Sequence, residues 1–241
     1  MLKSMVVSVF EFFRTFKETG MMFPTSKWAA RAMVHPLRDE PKRNNVVPFN
    51  KDGHRQPLKI LELGPGTGTV TYRILENLSE GDELTVCEIN PRFMSILRSN
   101  LVDKADYREH RKKITFYQCA AQELPETEKY DVIICSLPFL NFEMETVAEI
   151  FAKLRKLSHE ETVMTYYEYI GLKKVGIMVS PPKRKARLSQ IDRFFKSVFK
   201  QHLINREKIW ANVLPINVYM LKGFSAHEAG QEGQRVAAVG A

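Results

Sequence analysis

The chain has 241 residues, of which 44% are hydrophobic and 27% are charged. This length and composition are typical of one globular domain with a substantial core. The apolar runs fall well short of the roughly 20 residues that a membrane-spanning helix needs. Charged residues interrupt the first 20 positions, so we expect no secretory signal. Cys87, Cys119 and Cys135 fall within predicted central strands, which indicates reduced thiols in a cytoplasmic protein and no metal site.

The formal net charge of +8 is spread unevenly along the chain. Between Lys173 and Lys208 there are eleven basic residues and only two acidic ones, so this segment carries +9. A surface with this charge attracts polyanions, which are either nucleic acids or the anionic face of a membrane. Composition leaves both partners open, together with a surface that is merely solvated.

The N-terminal part of the chain is predicted to be helical. Residues 1–20 place large apolar side chains close to helical spacing with cations beside them, and Gly20 ends this helix. Ser26 can accept hydrogen bonds from the first amides of a second helix over 27–34. Residues 35–57 are rich in proline and charge, which predicts a loop.

From residue 58 onward, strand and helix patterns alternate. The predicted strands are 58–63, 84–89, 114–118, 131–136, 162–168, 207–213 and 216–222. The predicted helices between them are 69–78, 91–101, 143–156 and 188–203. This alternation predicts an α/β fold, a doubly wound Rossmann-like seven-stranded sheet that ends in an antiparallel hairpin, with an N-terminal amphipathic helical extension. The predicted parts are an extension over 1–57, a core domain over 58–222 and a disordered tail over 223–241.

A glycine-rich turn follows the first predicted strand. The turn contains Gly64, Gly66 and Gly68, with Glu62 just before it, and Glu88 ends the next strand. Glycines let a ligand approach bare backbone, and the following helix offers unpaired amides to an anionic group. An acid about 20 residues past the last glycine can accept hydrogen bonds from ribose hydroxyls. The sequence therefore predicts a nucleoside cofactor.

The spacing distinguishes between two cofactors. The dinucleotide fingerprint would place its third glycine at position 69, which is Thr69. The pattern E-x-G-x-G-x-G instead resembles motif I of class I S-adenosylmethionine-dependent methyltransferases. That resemblance implies that Glu62 orients the amino-acid end of S-adenosylmethionine and that Glu88 holds its ribose. The predicted cofactor-binding residues are Glu62, Gly64, Pro65, Gly66, Thr67, Gly68, Glu88, Ile89, Asn90, Ala121, Gln122, Ser136, Leu137 and Pro138.

The turn after the fourth strand, residues 136–139, reads Ser-Leu-Pro-Phe. It resembles the N-L-P-Y motif of rRNA adenine dimethylases, with Ser136 in place of asparagine and Phe139 in place of tyrosine. Leucine-proline at this point also resembles the soluble bacterial phospholipid N-methyltransferases, which act on phosphatidylethanolamine. The other features that resemble this second family are Gly20, Pro24-Thr25-Ser26, Ala29, Met33 and Thr165-Tyr166.

The end of the fifth strand is the predicted acceptor site. Aromatic faces attract ammonium groups, so we expect some of Tyr166, Tyr167 and Tyr169, with Phe23 or Trp28, to surround an amine. Glu168 or a tyrosine hydroxyl could take or relay its proton, although only alternate residues of a strand face one side. The predicted catalytic residues are Tyr166, Tyr167, Glu168, Tyr169 and Ser136.

Two amphipathic helices, over 1–20 and 187–203, carry phenylalanines on one face and cations beside them. Helices of this kind lie in the interface of anionic bilayers, but they can equally pack on the sheet. The predicted substrate-binding and membrane-binding residues are Phe23, Thr25, Ser26, Trp28, Lys183, Arg184, Lys185 and Arg187. We expect a monomer that associates peripherally with the inner face of an anionic membrane.

Three functions follow from these patterns. The first is N-methylation of an amine-bearing lipid, with phosphatidylethanolamine ahead of an ornithine-type lipid, in up to three transfers toward phosphatidylcholine. The second is N6-methylation of adenine in rRNA, which the serine at position 136 argues against. The third is a non-catalytic binder, which the intact Glu62, glycine turn and Glu88 argue against.

Overall fold

A computed structural model describes the chain from the second predicted helix onward. The described residues are 25–38, 47, 56–211, 214–223 and 225. The predicted helix over 1–20, Phe23 and almost all of the predicted tail over 223–241 lie outside them.

Seven strands form one sheet. They are β1 Lys59–Leu63, β2 Glu83–Cys87, β3 Ile114–Tyr117, β4 Tyr130–Cys135, β5 Ser158–Tyr169, β6 Leu203–Ile209 and β7 Ile216–Lys222. Their order across the sheet is β3-β2-β1-β4-β5-β7-β6. β7 runs antiparallel to β5 and β6, whereas the first five strands pair in parallel. The predicted seven-stranded sheet with its terminal hairpin is confirmed.

Helices cover both faces of the sheet. They are α1 Lys27–Met33, α2 Thr69–Leu75, α3 Pro91–Leu101, α4 Ala105–His110, α5 Met144–Lys156, α6 Leu172–Val179 and α7 Pro182–His202. Apolar residues of α1, α2 and α3 share one core with the sheet, and those of α5 and α7 share a second core on its other face. The fold is therefore doubly wound, as the alternation of strands and helices predicts.

The last third of the chain differs from the sequence prediction. The predicted helix over 188–203 begins at Pro182, a residue that suits a first helical position, and α6 precedes it. β6 begins at Leu203, four residues earlier than predicted, because the chain enters this strand directly from α7. β6 is an edge strand and almost wholly exposed, so its sequence lacks the alternation that marks a half-buried strand. Cys119 lies two residues beyond β3 rather than within it.

The first five strands point the same way, so their carboxyl ends lie at one edge of the sheet. We call this side the carboxyl edge. In parallel sheets ligands bind there, outside the ends of the strands. The predicted cofactor residues and the predicted acceptor residues of β5 therefore end or follow strands at this edge, whereas Trp28 lies on α1.

Candidate functional site

The glycine turn after β1 has a left-handed backbone at three positions. φ is 68° at Gly64, 57° at Gly66 and 100° at Gly68. A Cβ at Gly64 would lie 3.0 Å from Leu137 Cδ2, and one at Gly68 would lie 2.5 Å from Leu97 Cδ1. A Cβ at Gly66 would meet nothing within 4 Å. Two glycines are thus required for packing, whereas Gly66 presents bare backbone to open space where a ligand can lie.

Glu62 is a buried carboxylate near the carboxyl end of β1. It is 0% exposed, and neither of its oxygens has a hydrogen-bond partner among the described residues. Burial raises the pKa of Glu62 to about 8. The adjacent Thr71 hydroxyl opposes this rise in pKa, but the two groups are not aligned as a well-formed hydrogen bond. An unpaired buried carboxylate requires a cation, and the ammonium of an amino-acid group would supply one.

Glu88 is held in a fixed orientation directly after β2. Its Oε2 accepts from the Gly66 amide at 3.2 Å, and its Oε1 accepts from the Asn90 amide at 2.8 Å. The carboxylate is therefore tied to the glycine turn, with oxygen lone pairs left for ribose hydroxyls. The Asn90 side chain accepts from the amides of Arg92 and Phe93 and caps α3, so its own role is structural.

Ile89 is 66% exposed although it is a large apolar residue beside the buried Glu88. Ala121 and Gln122 follow β3 in a short 3₁₀ turn, where Ala121 is buried and the Gln122 amide lies 3.5 Å from Glu149 Oε2. The flat face of an adenine ring stacks on apolar side chains of this kind. The structure thus places Ile89 and Ala121 at the ends of adjacent strands, where they can flank such a ring.

A substitution at Ile89 tests this placement. Ile89→Ser should weaken S-adenosylmethionine binding about tenfold, because it removes most of one apolar contact with the adenine ring. The melting temperature should stay unchanged, since the side chain is already exposed to water. Isothermal titration and a thermal melt of the same preparation measure both quantities. Unchanged affinity would show that the ring lies elsewhere.

The turn after β4 lies against the glycine turn. The Ser136 amide donates to Leu63 O at 2.9 Å, and Leu137 contacts Gly64 as described above. Ser136 is 5% exposed, and its hydroxyl has no partner among the described residues. Phe139 is only 2% exposed and packs its ring against Tyr166 and Phe195. The turn therefore offers a serine hydroxyl and backbone to a ligand, but not its aromatic ring.

The four predicted residues at the end of β5 divide between the two faces of the sheet. Tyr166 and Glu168 lie on the face covered by α7, and Tyr166 stacks on Phe195 with ring centroids 5.0 Å apart. Tyr166 is 1% exposed within this aromatic core, so direct contact with a substrate is not supported. Tyr167 and Tyr169 pack with the opposite core, which contains α1.

Glu168 is held by a lysine that sequence reasoning missed. Lys173 Nζ lies 3.1 Å from Glu168 Oε1 and 2.9 Å from Asp192 Oδ1, so it links β5, α6 and α7. Burial alone would lower the pKa of Lys173, but the two carboxylates outweigh that effect and raise it. The charge of Glu168 is therefore compensated inside the fold by a cation that also pairs with Asp192.

Tyr167 and Tyr169 form an edge-to-face pair with ring centroids 5.8 Å apart and planes at 88°. Burial raises the pKa of Tyr167, and contacts with Thr25 and the Tyr169 hydroxyl partly counter that rise. Ser136 extends the register in which Cys135 pairs with Tyr166, which brings it alongside Tyr167. The carboxyl edge thus brings together the protonated phenol of Tyr167, the hydroxyl of Ser136 and the N-terminal side of α1.

The remaining predicted residues lie on two surfaces. Ser26 caps α1 through a 3.2 Å hydrogen bond from the Ala29 amide, and Trp28 is 48% exposed. At the start of α7, Lys183 and Lys185 are exposed and Arg184 is half-buried, whereas Arg187 pairs with Glu143 at 2.6 Å. Sequence reasoning missed Met178 and Val179 at the end of α6, which are 75% and 50% exposed. Within the described ranges, no helix has the length and apolar character needed to cross a bilayer.

Part of the chain matches a known protein family. Residues 61–164 match the family described as "Methyltransferase domain". The ornithine lipid N-methyltransferase of Singulisphaera acidiphila is 22% identical over 156 residues, which cover 65% of this chain and 73% of that protein.

Two solved structures share the fold. One, from Clostridium thermocellum and provisionally described as an rRNA methylase, matches with a TM-score of 0.50 at 16% identity, over 70% of this chain and 88% of that one. The other is the glycopeptide N-methyltransferase MtfA complexed with S-adenosyl-L-homocysteine, with a TM-score of 0.50 at 13% identity, over 68% of this chain and 81% of that one.

The matched domain spans β1 to β5, and it contains the unpaired Glu62, the open backbone at Gly66 and the fixed Glu88. These residues suit the three parts of S-adenosylmethionine, namely its ammonium, its extended chain and its ribose. Fold, site and family agree on the same chemistry. Residues 61–164 therefore form a methyltransferase domain, and the site that they build suits S-adenosylmethionine as the methyl donor.

Proposed function

We propose that the enzyme N-methylates the amine of a membrane lipid head group, with phosphatidylethanolamine as first choice and an ornithine-type lipid as the alternative head group. The observation that carries this proposal is the tyrosine pair at the end of β5, which lies beside Ser136 and under α1. Aromatic faces and hydroxyl oxygens suit a small alkyl ammonium group. The 22% identical ornithine lipid N-methyltransferase supports an amine on a lipid.

The acceptor amine must lose a proton and point its lone pair at the methyl group, about 3–3.5 Å away. Bound S-adenosylmethionine supplies that methyl group as an electrophile. The raised pKa of Tyr167 keeps its phenol protonated, so its oxygen can accept a hydrogen bond from the amine and orient it but does not act as a strong base. We assign orientation of the amine to Tyr167 and Ser136, and no contact with the amine to Glu168, which lies on the other face of the sheet and pairs with Lys173.

Phe139 argues against the alternative, methylation of an adenine in rRNA. Enzymes that act on a base extract it from its stack and hold it between aromatic or apolar faces. The ring of Phe139 is buried among Phe151, Tyr166 and Phe195, so it has no face to offer. Ser136 also lacks the amide or carboxylate oxygen that suits an exocyclic amine.

The α6–α7 hairpin gives the enzyme a route to a lipid surface. Its tip combines the exposed apolar residues Met178 and Val179 with the exposed cations Lys183 and Lys185. Apolar side chains enter the interface of a bilayer, and cations bind its anionic lipids. We therefore propose peripheral association of a monomer with the inner face of an anionic membrane.

Tyr167→Phe should lower kcat on vesicle-borne amine about tenfold and leave S-adenosylmethionine affinity unchanged, because it removes one orienting hydrogen bond. Tyr219→Phe is the matched control, since that hydroxyl belongs to the opposite face of the sheet. Steady-state kinetics with labelled cofactor provide both constants. Equal kcat values for the two variants would show that the Tyr167 hydroxyl does not orient the acceptor amine.

The head group can be assigned with three vesicle preparations that share the same anionic lipid. One contains phosphatidylethanolamine, one contains an ornithine lipid, and one contains no amine lipid. The proposal predicts methylated lipid with the first preparation, or with the second in its place, and none with the third. Label incorporated in the vesicles that lack an amine would overturn N-methylation.

A further inference from the structure

A basic concavity of about 480 Å³ lies between α1 and the end of α2. Its lining consists of Lys27, Trp28, Arg31, Val34, Arg38, Arg73 and Asn77. Four of these seven residues are cations and none is acidic, so the concavity has a strongly positive potential. We call it the α1 basic concavity.

The cations of the α1 basic concavity are held in different ways. Lys27 and Arg31 are exposed on successive turns of α1, and Lys27 Nζ lies 5.3 Å from the centre of the Trp28 ring. Arg38 donates to the Arg31 carbonyl, and Arg73 pairs with Glu76 at its margin. Two cations are thus fixed by backbone or ion-pair contacts, and two project toward solvent.

We propose that the α1 basic concavity binds phosphate groups of anionic phospholipids at the bilayer surface. Guanidinium and ammonium groups are the side chains that recognise phosphate. Trp28, which is 48% exposed, carries an apolar ring and one donor, the combination that favours the interface between head groups and acyl chains. One compact concavity with a tryptophan at its margin fits head groups on a surface better than an extended polyanion.

The position of α1 links this site to the acceptor site. The helix has seven residues, so its length is about 10 Å, and Thr25 just before it contacts Tyr167. Phosphates in the α1 basic concavity would therefore place the bilayer surface close to Tyr167. The site binds lipids that surround the methyl acceptor, so the proposal does not depend on which amine is methylated.

The test is binding of the full chain to vesicles without cofactor or amine lipid. The double variant Lys27→Gln/Arg31→Gln should bind phosphatidylglycerol vesicles about tenfold or more weakly than the parent chain, because each surface cation contributes substantially to such binding. The control variant Arg111→Gln/Lys112→Gln removes the same charge from the turn before β3, at the opposite edge of the sheet. Vesicle flotation at fixed ionic strength measures both.

The control should retain its affinity within about twofold, since distant charges are screened. Equal losses of vesicle affinity in the two variants would show that only the net charge of the protein matters, which would overturn the proposal. A loss of RNA binding by Lys27→Gln/Arg31→Gln with unchanged vesicle binding would also overturn it, and would assign the concavity to nucleic acid. S-adenosylmethionine titration verifies that each variant is folded.

Fluorescence gives a second test that leaves all four cations in place. The chain has two tryptophans, Trp28 and Trp210. In a Trp210→Phe variant only Trp28 emits, and brominated phosphatidylglycerol should quench it while brominated phosphatidylcholine should not. Absence of quenching in vesicle-bound protein would show that this surface faces away from the bilayer.

Discussion

Glu62→Gln is expected to abolish S-adenosylmethionine binding and, at the same time, to make the cofactor-free protein more stable. The side chain is wholly buried and unpaired among the described residues, so its ionised form has no counterion there until the ammonium group of the cofactor binds. Removing one partner of a buried ion pair leaves the other charge uncompensated, which should weaken binding about 100-fold or more. Isothermal titration measures this loss.

The gain in stability depends on pH. Because the pKa of Glu62 is raised from 4.5 to about 8, the folded state keeps a proton that the unfolded state releases in this range. Stability is therefore lost as the pH rises from about 4.5 through about 8, and the loss at neutral pH is roughly 3 kcal/mol. Glutamine removes this loss but keeps a buried amide, so the net gain should be about 1–2 kcal/mol.

Denaturant unfolding of the parent chain and Glu62→Gln at pH 5 and pH 7.5 checks the prediction. The free energies of unfolding of the two proteins should be nearly equal at pH 5, and that of the variant should be higher at pH 7.5. Glu80→Gln, an exposed glutamate in the turn before β2, is the matched control and should show no such difference. A variant that is less stable at pH 7.5, or that binds the cofactor normally, would contradict the assignment.

Gly66→Val should reduce S-adenosylmethionine binding below detection and leave the enzyme folded. The Cβ position at Gly66 is open, so the added side chain meets solvent in the free protein and the cofactor in the complex. The left-handed backbone there, with φ of 57°, should cost about 1–2 kcal/mol of stability with any side chain.

Gly223→Val separates the two effects. Gly223 also has a left-handed backbone and open space at its Cβ, but it follows β7, whose last residue pairs near the middle of β5. It should lose the same stability and bind cofactor normally. Gly68→Ala should instead destabilise the fold by about 1–3 kcal/mol, because its Cβ would overlap Leu97. Normal cofactor binding by Gly66→Val would mean that the ligand does not cross this turn.

Local spacing made the strands and the motifs after them predictable. The glycine turn, Glu62 and Glu88 all lie within 27 residues, and each follows a short apolar run that alone predicts a buried strand. The alternation along β5 also predicted that its four polar and aromatic residues would divide between two faces. Which pair faces the acceptor site depends on the layers that α1 and α7 form, and no local pattern encodes that.

The contacts that sequence reasoning missed join distant parts of the chain. Lys173 pairs with both Glu168 and Asp192, and the fold brings Asp192 close only when α6 and α7 pack together. The α1 basic concavity gathers Arg31 and Arg73, two residues of different helices that are 42 positions apart in sequence. The eleven cations between Lys173 and Lys208 suggested a single basic surface, yet three of them, Lys173, Arg187 and Lys196, are engaged in ion pairs.

The most direct test of the proposed activity supplies labelled S-adenosylmethionine to the enzyme with two acceptors in parallel. One reaction contains vesicles of phosphatidylethanolamine and phosphatidylglycerol, and the other contains unmodified ribosomal RNA. We predict label in the lipid extract, increasing with the share of phosphatidylglycerol, and none in the RNA. Label in the RNA alone would contradict the account and would mean that Ser136 and the turn that follows it accept a base.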